Sequence, residues 1–535
     1  MTERVFVEVL QADGELRLWG TVRLPAGETP IPLYASLAGR RVAVEFTGRY
    51  GLYPDDPDLV NHAFEVRLPL GYGVLRFLDA EGRKPIDFAR PKARLANLGG
   101  SWFAVGEYLF ARLPDGVRIV KNGRRLRLRN ELKFLFNVLR YARPQQKSLI
   151  QRIKRPLGIV AMRLAYWATR RRYAGKRIWI YYDKLYRRGD NGEYAFRYAS
   201  AQDDGIEKHY LVTKGSPAAA SWPDGPAYTE YRSPQAMLAF LHAEIVFQTH
   251  IHPTSYGGFA GVEQYFRTFY DYTHIGIQHG LTVQDLAATV NFAHDATDYY
   301  CLAAPVEHAA LSAPEYGYRP AQLIPTGLAR FDGLRGDTQP VILIAPTWRS
   351  YLAADPVLGH AREFSPALHE SEYVRIYAAL LADEKLLAAC RERGYRIRFV
   401  LHPVFGAQAA DFTGNDVVEI VSAAGDFSYE QALSEAALLV TDFSGIQFDF
   451  AYQYKPVLYF QPPELPPSYT SAHYSYARDA LGEVVAELPT LVNTLVNYLA
   501  ADCALPDEYR ERIDAFFYFH DAASAKRIYD FAAAL

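Results

Sequence analysis

The stretch IWIYYDKLYRRGDNGEYAFRYASAQDDGIEKHYLV, residues 178–212, decides the fold class of this chain. It begins with the apolar and aromatic run 178–182, continues through a segment of helical composition at 193–201, and returns to an apolar run at 209–212. Apolar strands separated by helices indicate βαβ units, in which helices cover both faces of a parallel sheet. This stretch therefore predicts the beginning of a Rossmann-like lobe.

The same alternation continues and then restarts after the Gly- and Asp-rich loop 332–340. Two such sheets place ligands outside the carboxyl ends of their strands, in a shared cleft. We therefore predict an α/β fold with a first lobe at 178–332 and a second lobe, with terminal helices, at 333–535. The other strands are predicted at 244–247, 274–277, 299–302, 341–345, 396–401, 417–421, 438–440 and 457–460.

Residues 1–125 predict a separate β domain. Short alternating segments separated by Gly, Pro and Asp clusters are typical of a small β-sandwich. Nothing in this domain has the pattern of a catalytic motif. The predicted strands include 6–10, 16–20, 42–46 and 64–68.

The segment 126–177 predicts a basic helical connector. Between Lys121 and Arg177 there are 18 Lys and Arg residues and one acid, Glu131, although the whole chain has a net charge of −2. Such segregation indicates an anionic partner. Two interpretations remain open: an amphipathic segment on an anionic membrane surface, or a helix packed on the next domain with a solvated basic face. Nucleic acid is not expected, since no nucleic-acid motif accompanies the charge. The apolar positions are Leu132, Leu135, Phe136 and Leu139.

Several classes of protein are disfavoured by composition. Cys301, Cys390 and Cys503 have no C-x-x-C spacing, which is typical of a reducing compartment. No signal peptide and no apolar stretch of about 18 residues are recognised, so we expect a cytoplasmic protein that is soluble or peripheral to the membrane. A P-loop and a dinucleotide fingerprint are absent from the sequence, which argues against ATPases and dehydrogenases, and no cofactor is expected.

Histidines follow predicted strands of both lobes. Gln278, His279 and Gly280 follow strand 274–277, and the glycine permits a tight turn there. At this position His279 is suited to act as a general base. The alternative is a histidine that caps a local turn. His402 follows strand 396–401 and could hold a diphosphate oxygen. His250 and His252 follow strand 244–247, but no third ligand accompanies them, so no metal is expected.

Other polar side chains lie at strand ends. Ser444 and its neighbours follow strand 438–440 and predict an anion site at a helix N-terminus, or an ordinary helix cap. Arg349 follows strand 341–345 and is a candidate phosphate clamp, or a surface ion pair. Asp190 and Asn191, after strand 178–182, are predicted either to cap a helix or to contact the donor or acceptor. The full set comprises Thr441, Asp442, Ser444, Gly445, Arg349, Asp190 and Asn191.

These segments together resemble the CDP-glycerol glycerophosphotransferase family, the teichoic-acid polymerases and primases, over roughly residues 178–500. The most specific stretch is YEQALSEAALLVTDFSGIQFDFAYQYKP, Tyr429 to Pro456, which is similar to the family's run ending in T-D-Y-S-S, F-D and K-P. Four shorter segments match in order: Asp190-Asn191, Gly327 to Asp332, Pro346 to Arg349 and His402-Pro403.

The resemblance implies a GT-B fold whose first lobe binds acceptor and whose second lobe binds nucleotide donor. It implies transfer of glycerol phosphate, or a related alditol phosphate, from a CDP-activated donor to a hydroxyl of a wall, capsule or teichoic-acid-like polymer, with release of CMP. The acceptor would be a polyol phosphate or glycan, lipid-linked or not, at the inner face of the cell membrane. By this resemblance His279 is the base, while His402, Arg349 and Ser444 hold the diphosphate.

The chain departs from the family pattern at two places. The family's W-H-G-T-P-x-K corresponds here to 277–283, without the Trp or the Lys, and the second Ser of T-D-Y-S-S is Gly445. CDP-glycerol, CDP-ribitol, another CDP-alditol and a nucleotide sugar therefore remain open as donors. Two alternatives to the phosphotransferase also remain: a GT-B glycosyltransferase, and a non-catalytic, membrane-docked polymer-binding scaffold.

Overall fold

The structure is a computed structural model. It describes residues 4–53, 56–142, 148–222, 226–249, 257–281, 283–287, 290–292, 297–334, 336–353, 364–422, 427–468, 471 and 473–535.

The N-terminal part is a β domain of two facing sheets. One sheet has the order β5-β6-β2-β1-β8 and the other β4-β3-β7-β11-β10-β9. Side chains of both sheets share one apolar core, as the predicted sandwich requires. The strands are β1 (Val5–Asp13), β2 (Glu15–Pro25), β3 (Tyr34–Leu37), β4 (Arg40–Ala43), β5 (Glu45–Tyr53), β6 (Asp56–Pro69), β7 (Gly73–Leu78), β8 (Ile86–Phe88), β9 (Trp102–Val105), β10 (Tyr108–Leu113) and β11 (Gly116–Lys121).

One predicted strand of this domain is wrong. Residues 42–46 divide between β4 and β5, which belong to different sheets. The chain changes sheets at Val44, whose side chain is buried and whose N–H donates to the carbonyl of Leu33 at 2.8 Å. Alternation of side chains continues through such a crossing, so the sequence pattern does not mark it.

The basic connector consists of two helices, α1 (Arg124–Tyr141) and α2 (Leu149–Tyr173). The face of α1 that packs inward carries Glu131, Phe134 and Val138. The apolar residues identified from the sequence lie on the other side: Leu132 is 58% and Phe136 62% exposed. The predicted apolar stripe is therefore not the face by which α1 packs on the protein.

The first Rossmann-like lobe is a parallel sheet in the order β14-β13-β12-β15-β16-β17-β18. The strands are β12 (Ile178–Tyr182), β13 (Glu207–Val212), β14 (Thr229–Glu230), β15 (Ile245–Gln248), β16 (Thr273–Gly276), β17 (Tyr299–Leu302) and β18 (Leu323–Pro325). The helices are α3 (Asn191–Ser200), α4 (Pro217–Ala220), α5 (Pro234–Leu241) and α6 (Pro305–Leu311).

The second lobe is a parallel sheet in the order β21-β20-β19-β22-β23-β24. The strands are β19 (Val341–Ile344), β20 (Arg396–Leu401), β21 (Val418–Ser422), β22 (Leu438–Thr441), β23 (Val457–Phe460) and β24 (Gly482–Val485). The helices are α7 (Pro366–His369), α8 (Glu372–Leu381), α9 (Glu384–Arg393), α10 (Tyr429–Glu435), α11 (Ile446–Ala451), α12 (Tyr476–Asp479), α13 (Leu488–Ala500), α14 (Asp507–Phe516) and α15 (Ser524–Ala533). The predicted GT-B-like pair of lobes with an N-terminal sheet domain is confirmed.

The last helix does not stay with the second lobe. Ala525, Ile528 and Ala532 of α15 are buried in the core of the first lobe. Asp332 accepts hydrogen bonds from the backbone N–H groups of Ser524 and Ala525 at 3.0 and 2.8 Å, and so holds the start of α15 there. The contiguous assignment of 333–535 to the second lobe is thus wrong for α15, because its apolar face is buried elsewhere.

A buried ion pair joins the connector to both of its neighbours. Arg163 of α2 donates to Glu131 of α1 through Nε at 2.8 Å and Nη2 at 2.6 Å. Trp102 of the β domain donates to the same carboxylate at 3.0 Å. In the first lobe, Arg163 donates to Thr268 Oγ1 at 3.0 Å and lies over the ring of Phe269. The only acid of the basic segment thus links the β domain, the connector and the first lobe.

We expect Glu131→Gln to lower the free energy of unfolding by about 3–5 kcal/mol, because it leaves Arg163 buried without a countercharge. Urea unfolding followed by the fluorescence of the stacked Trp102 and Trp167 measures this. Lys526→Met is the matched control, since it removes an ion pair with Asp530 whose side chains are 56% and 51% exposed, and it should change the midpoint little. Equal midpoints for Glu131→Gln and the wild type would contradict the expectation.

Candidate active site

A cleft of about 330 Å³ lies between the two lobes. It is bordered by the loops that follow β16, β19, β20 and β22, as expected at the carboxyl ends of parallel strands. Both histidines that follow predicted strands line it. The lining residues are His279, Gln284 and Leu286 from the first lobe, and Ala345, Pro346, Thr347, Trp348, Val400, His402, Tyr429, Phe443, Ser444, Gly445 and Ile446 from the second.

A strained turn presents His279 to the cleft. Gln278 has a φ of +52°, a left-handed conformation that costs a non-glycine residue about 1–2 kcal/mol. Its side chain holds the turn, donating through Nε2 to the carbonyl of Cys301 at 2.6 Å and to Glu307 at 2.9 Å. Gln278 is therefore buried support and, like Gly280, is not among the cleft residues, whereas the His279 side chain is 55% exposed.

An aspartate fixes the orientation of His279. Asp190 forms a hydrogen bond with His279 Nδ1 through one carboxylate oxygen, and its other oxygen accepts from the N–H of Asn191 at 2.9 Å. Asn191 in turn donates to the carbonyl of Gln278 at 2.7 Å. A carboxylate at Nδ1 assigns the proton to that nitrogen and makes Nε2 the acceptor. Asp190 caps α3 and Asn191 is the first residue of this helix, and the same two residues position the histidine.

Arg330 ties this cluster to the second lobe. It donates to Asp190 at 3.1 Å and, with two parallel bonds of 2.5 and 2.8 Å, to Asp449 of α11. Its side chain also donates to the backbone carbonyl of His279, and its backbone N–H donates to Asn191 Oδ1 at 2.9 Å. Burial lowers the pKa of Arg330, but the two carboxylates outweigh burial and hold it above its ordinary value.

A second aspartate lies beneath Asp190. Asp183 is buried and accepts from the N–H groups of Gly192 and Glu193, both at 2.9 Å, and from Tyr210 at 2.7 Å. A Cβ at position 192 would lie 2.5 Å from this carboxylate, so the close approach requires glycine. Burial and the neighbouring charge of Asp190 raise the pKa of Asp183 to about 7.

His402 has the opposite hydrogen-bonding arrangement from His279. Its Nδ1 accepts from the backbone N–H of Val404 at 3.2 Å, and its ring stacks on Trp348 with centroids 6.0 Å apart. An accepting Nδ1 assigns the proton of the neutral ring to Nε2. Within one cleft, His402 is therefore arranged to donate through Nε2, whereas His279 is arranged to accept through Nε2.

Arg349 does not line the cleft, so its side chain is not placed to clamp a phosphate there as predicted. Its side chain is 1% exposed and donates to Asp442 at 2.7 Å, to Leu465 O at 3.0 Å and to Thr347 O at 2.8 Å. The alternative of a surface ion pair is also wrong, because Asp442 is fully buried. The charge of Arg349 is neutralised within the lobe.

Asp442 and Thr441 hold loops and do not line the cleft. One oxygen of Asp442 accepts from Thr347 N at 2.8 Å and from Phe443 N at 2.6 Å, which joins the loops after β19 and β22. Thr441 donates to the carbonyl of Ala345 at 2.8 Å. The predicted direct contact of these two residues with donor is corrected to a supporting one.

Ser444 and Gly445 line the cleft directly ahead of α11. Gly445 occupies the cap position and no side chain caps this helix, so Ser444 is not an ordinary helix cap. His250 and His252 lie outside the described residues.

Sequence reasoning missed Asp183, Arg330 and Asp449. Arg330 and Asp449 lie in two of the segments that resemble the family, Gly327 to Asp332 and Tyr429 to Pro456, but they are 119 residues apart and no local pattern indicates that they pair. Asp183 directly follows β12, and this position after a strand was the one available signal.

The chain is similar to known proteins over most of its length. The family model described as CDP-Glycerol:Poly(glycerophosphate) glycerophosphotransferase matches residues 165–533. The minor teichoic acid biosynthesis protein GgaB of Bacillus subtilis (strain 168) is 27% identical over 478 residues, which are 87% of this chain and 52% of GgaB. The chain therefore spans about half the length of this curated relative.

Two solved structures are similar at low identity. The wall teichoic acid polymerase TagF matches with 15% identity over 71% of this chain and 98% of that one, with a TM-score of 0.47. A putative UDP-N-acetylglucosamine 2-epimerase from Listeria monocytogenes matches with 13% identity over 67% of this chain and 96% of that one, with a TM-score of 0.42.

The pKa of Asp183 has a consequence for stability. Because it is raised from 3.8 to about 7, the folded chain keeps a proton that the unfolded chain releases, and this residue makes the protein less stable as pH rises from about 4 to 7. We expect Asp183→Asn to flatten this part of the dependence of the urea midpoint on pH, and exposed Asp203→Asn to leave it as in the wild type. An unchanged slope in Asp183→Asn would contradict the assignment.

Proposed function

Because the chain belongs to the CDP-glycerol:poly(glycerophosphate) glycerophosphotransferase family, we propose that it transfers glycerol phosphate, or a related alditol phosphate, from a CDP-activated donor to a polymer hydroxyl. The acceptor is a teichoic-acid-like, wall or capsule polymer. The observation that carries the proposal is the single cleft lined by His279 and His402 from opposite lobes. Their opposite hydrogen-bonding arrangements suit the two ends of a phosphoryl transfer.

The proposed reaction is a substitution at phosphorus. The acceptor hydroxyl oxygen bonds to the phosphorus that carries the alditol, the bond from that phosphorus to the CMP oxygen breaks, and CMP leaves with the electron pair. His279 takes the hydroxyl proton on Nε2, and Asp190 at Nδ1 stabilises the imidazolium that forms. Catalysis of this kind depends mainly on positioning and on stabilising charge.

The second lobe binds the donor in this proposal. The Nε2–H of His402 donates to a diphosphate oxygen and stabilises the negative charge that develops on CMP. Ser444 and the backbone at Gly445 provide further donors at the cleft wall. Arg349 and Asp442 do not contact the donor in this proposal. They hold the cleft residues Thr347 and Phe443 in place.

We expect His279→Ala to lower kcat for CMP release from a CDP-alditol by about 10²–10⁴-fold, the usual contribution of a positioned base. The matched control is His369→Ala. His369 also pairs with an aspartate, Asp411 at 2.7 Å, and is 56% exposed against 55% for His279, but it lies outside the cleft. Transfer at the wild-type rate by His279→Ala would contradict the proposal. A phosphorus assay of the product separates phosphodiester formation from glycosyl transfer.

We also propose that the connector docks on an anionic membrane, at the inner face of the cell membrane. The support is an exposed surface of α1 and α2 that is both apolar and basic, here called the connector surface. Aliphatic and aromatic side chains that are half or more exposed, next to cations, are typical of interfacial helices. The apolar members are Leu128, Leu132, Phe136, Ile150, Ile153, Leu157 and Leu164, and the cations are Arg124, Arg125, Arg129, Lys133, Arg140, Arg152, Lys154, Arg170, Arg171 and Arg172. Among the described helices, none is long and apolar enough to cross a membrane.

The double variant Leu132→Asp/Phe136→Asp should weaken binding to vesicles of anionic lipid by roughly tenfold or more, because burial of each side chain contributes about 1.5–3 kcal/mol. Ile31→Asp, at a 42% exposed position of the β domain, should bind as the wild type does. Vesicle co-sedimentation measures both. Undiminished binding of the double variant, or equal binding to uncharged vesicles, would contradict the proposal.

A further inference from the structure

We propose that Asp190 and Arg330 are positioning residues for His279, and that the pair Arg330–Asp449 links the position of the second lobe to the orientation of this base. The inference rests on the proposed function. Its basis is a continuous chain of contacts from Asp449 through Arg330 and Asp190 to His279.

The chain of contacts crosses from one lobe to the other. Asp449 is on α11 of the second lobe, whereas Arg330 follows β18, Asp190 caps α3 and His279 follows β16 in the first lobe. The two parallel bonds to Asp449 fix the plane of the guanidinium, because bidentate pairs restrict orientation more than single bonds do. The remaining nitrogen, Nη1, donates to Asp190 and to the backbone carbonyl of His279.

The guanidinium of Arg330 thus binds two carboxylates, Asp190 of the first lobe and Asp449 of the second. If Asp449 withdraws or loses its charge, the positive charge of Arg330 is balanced by Asp190 alone. Asp190 then stabilises the protonated form of His279 less well, since the net charge near the imidazolium becomes more positive. The countercharge available to the base therefore depends on the second lobe.

The location of Asp449 relates this coupling to the donor. The helix that carries it begins directly after Ser444 and Gly445, which line the donor side of the cleft. Asp449 itself is 5% exposed at its side chain and does not line the cleft. A substitution at Asp449 consequently changes the charge balance of Arg330 without removing a group from the cleft wall.

Other titratable groups also lie near His279 and Asp190. His402 faces it across the cleft, and Asp183 and Lys184 act on Asp190 from the loop after β12. None of these contacts Arg330 or Asp449 in the hydrogen bonds of the described residues. Because Asp449→Asn removes a negative charge and Arg330→Gln removes a positive one, the two variants should shift the pH dependence in opposite directions.

The test is the pH profile of kcat/KM for CMP release, with CDP-glycerol and CDP-ribitol as donors and polymer-bearing membranes as acceptor. Asp449→Asn should move the acidic limb to lower pH, and Arg330→Gln to higher pH, each by about half to one unit. Asp449→Asn should also lower kcat by about tenfold, while KM for the donor changes less than threefold. A merely structural role for the pair would not shift the two limbs in opposite directions.

Asp411→Asn is the matched control. It removes the same charge from a second-lobe aspartate that is 4% exposed and bound to His369, away from the cleft, and it should leave the profile as in the wild type. If Asp449→Asn does not fold, Arg330→Lys is tested in its place. Lysine keeps the positive charge near Asp190 but cannot form the two parallel bonds. The acidic limb of the pH profile should therefore stay in place while kcat falls.

The failures of the two proposals are distinguishable. Wild-type transfer with limbs that stay in place, or that move in the same direction, in Asp449→Asn and Arg330→Gln would overturn this inference alone. A wild-type chain that releases no CMP from either donor would overturn the proposed function, and this inference with it.

Discussion

The arrangement of the cleft depends on the ion pairs of Arg330 with Asp190 and Asp449. Burying three charged groups is unfavourable unless their geometry is good, and here each carboxylate is bound directly by the guanidinium. The contact joins two lobes that the chain connects through the segment 333–340 and through the return of α15. Since Asp190 also holds His279, the interaction that joins the lobes is the one that orients the first-lobe histidine.

The second lobe uses a buried ion pair in a similar way. Arg349 and Asp442 neutralise each other's charge. Their other hydrogen bonds include contacts with the backbone of the loops after β19 and β22. The pair Glu131–Arg163 does the same among the β domain, the connector and the first lobe. In all three cases the buried charges fix the relative positions of chain segments, and the groups that line the cleft are mostly neutral or half-exposed.

The fold was predictable because its signals are local. Buried parallel strands are short apolar runs separated by helices, and runs such as 178–182, 396–401 and 457–460 coincide with strands in the structure. The same logic brings His279 and His402 to one cleft, since His402 directly follows β20 and His279 lies three residues after the end of β16. Position relative to a strand end is visible in a single sequence.

What the sequence did not reveal depends on pairing over long distances. Arg349, like His402, lies in a loop after a strand, but its ion pair with the buried Asp442, 93 residues away, makes it a supporting residue. Leu132 and Phe136 likewise face outward because Glu131 is on the buried face of α1. There its carboxylate accepts hydrogen bonds from Arg163 and Trp102. Apolar periodicity alone predicts a helix but not which of its faces packs on the protein.

In the proposed reaction, the two histidines act on one phosphorus from opposite lobes. The decisive measurement is a crystal structure of the chain with CDP-glycerol bound. We expect a diphosphate oxygen within hydrogen-bond distance of His402 Nε2, and His279 Nε2 facing the alditol-bearing phosphorus from the other side. A diphosphate bound outside the cleft, or held by His279 while His402 makes no contact with it, would overturn this reaction scheme.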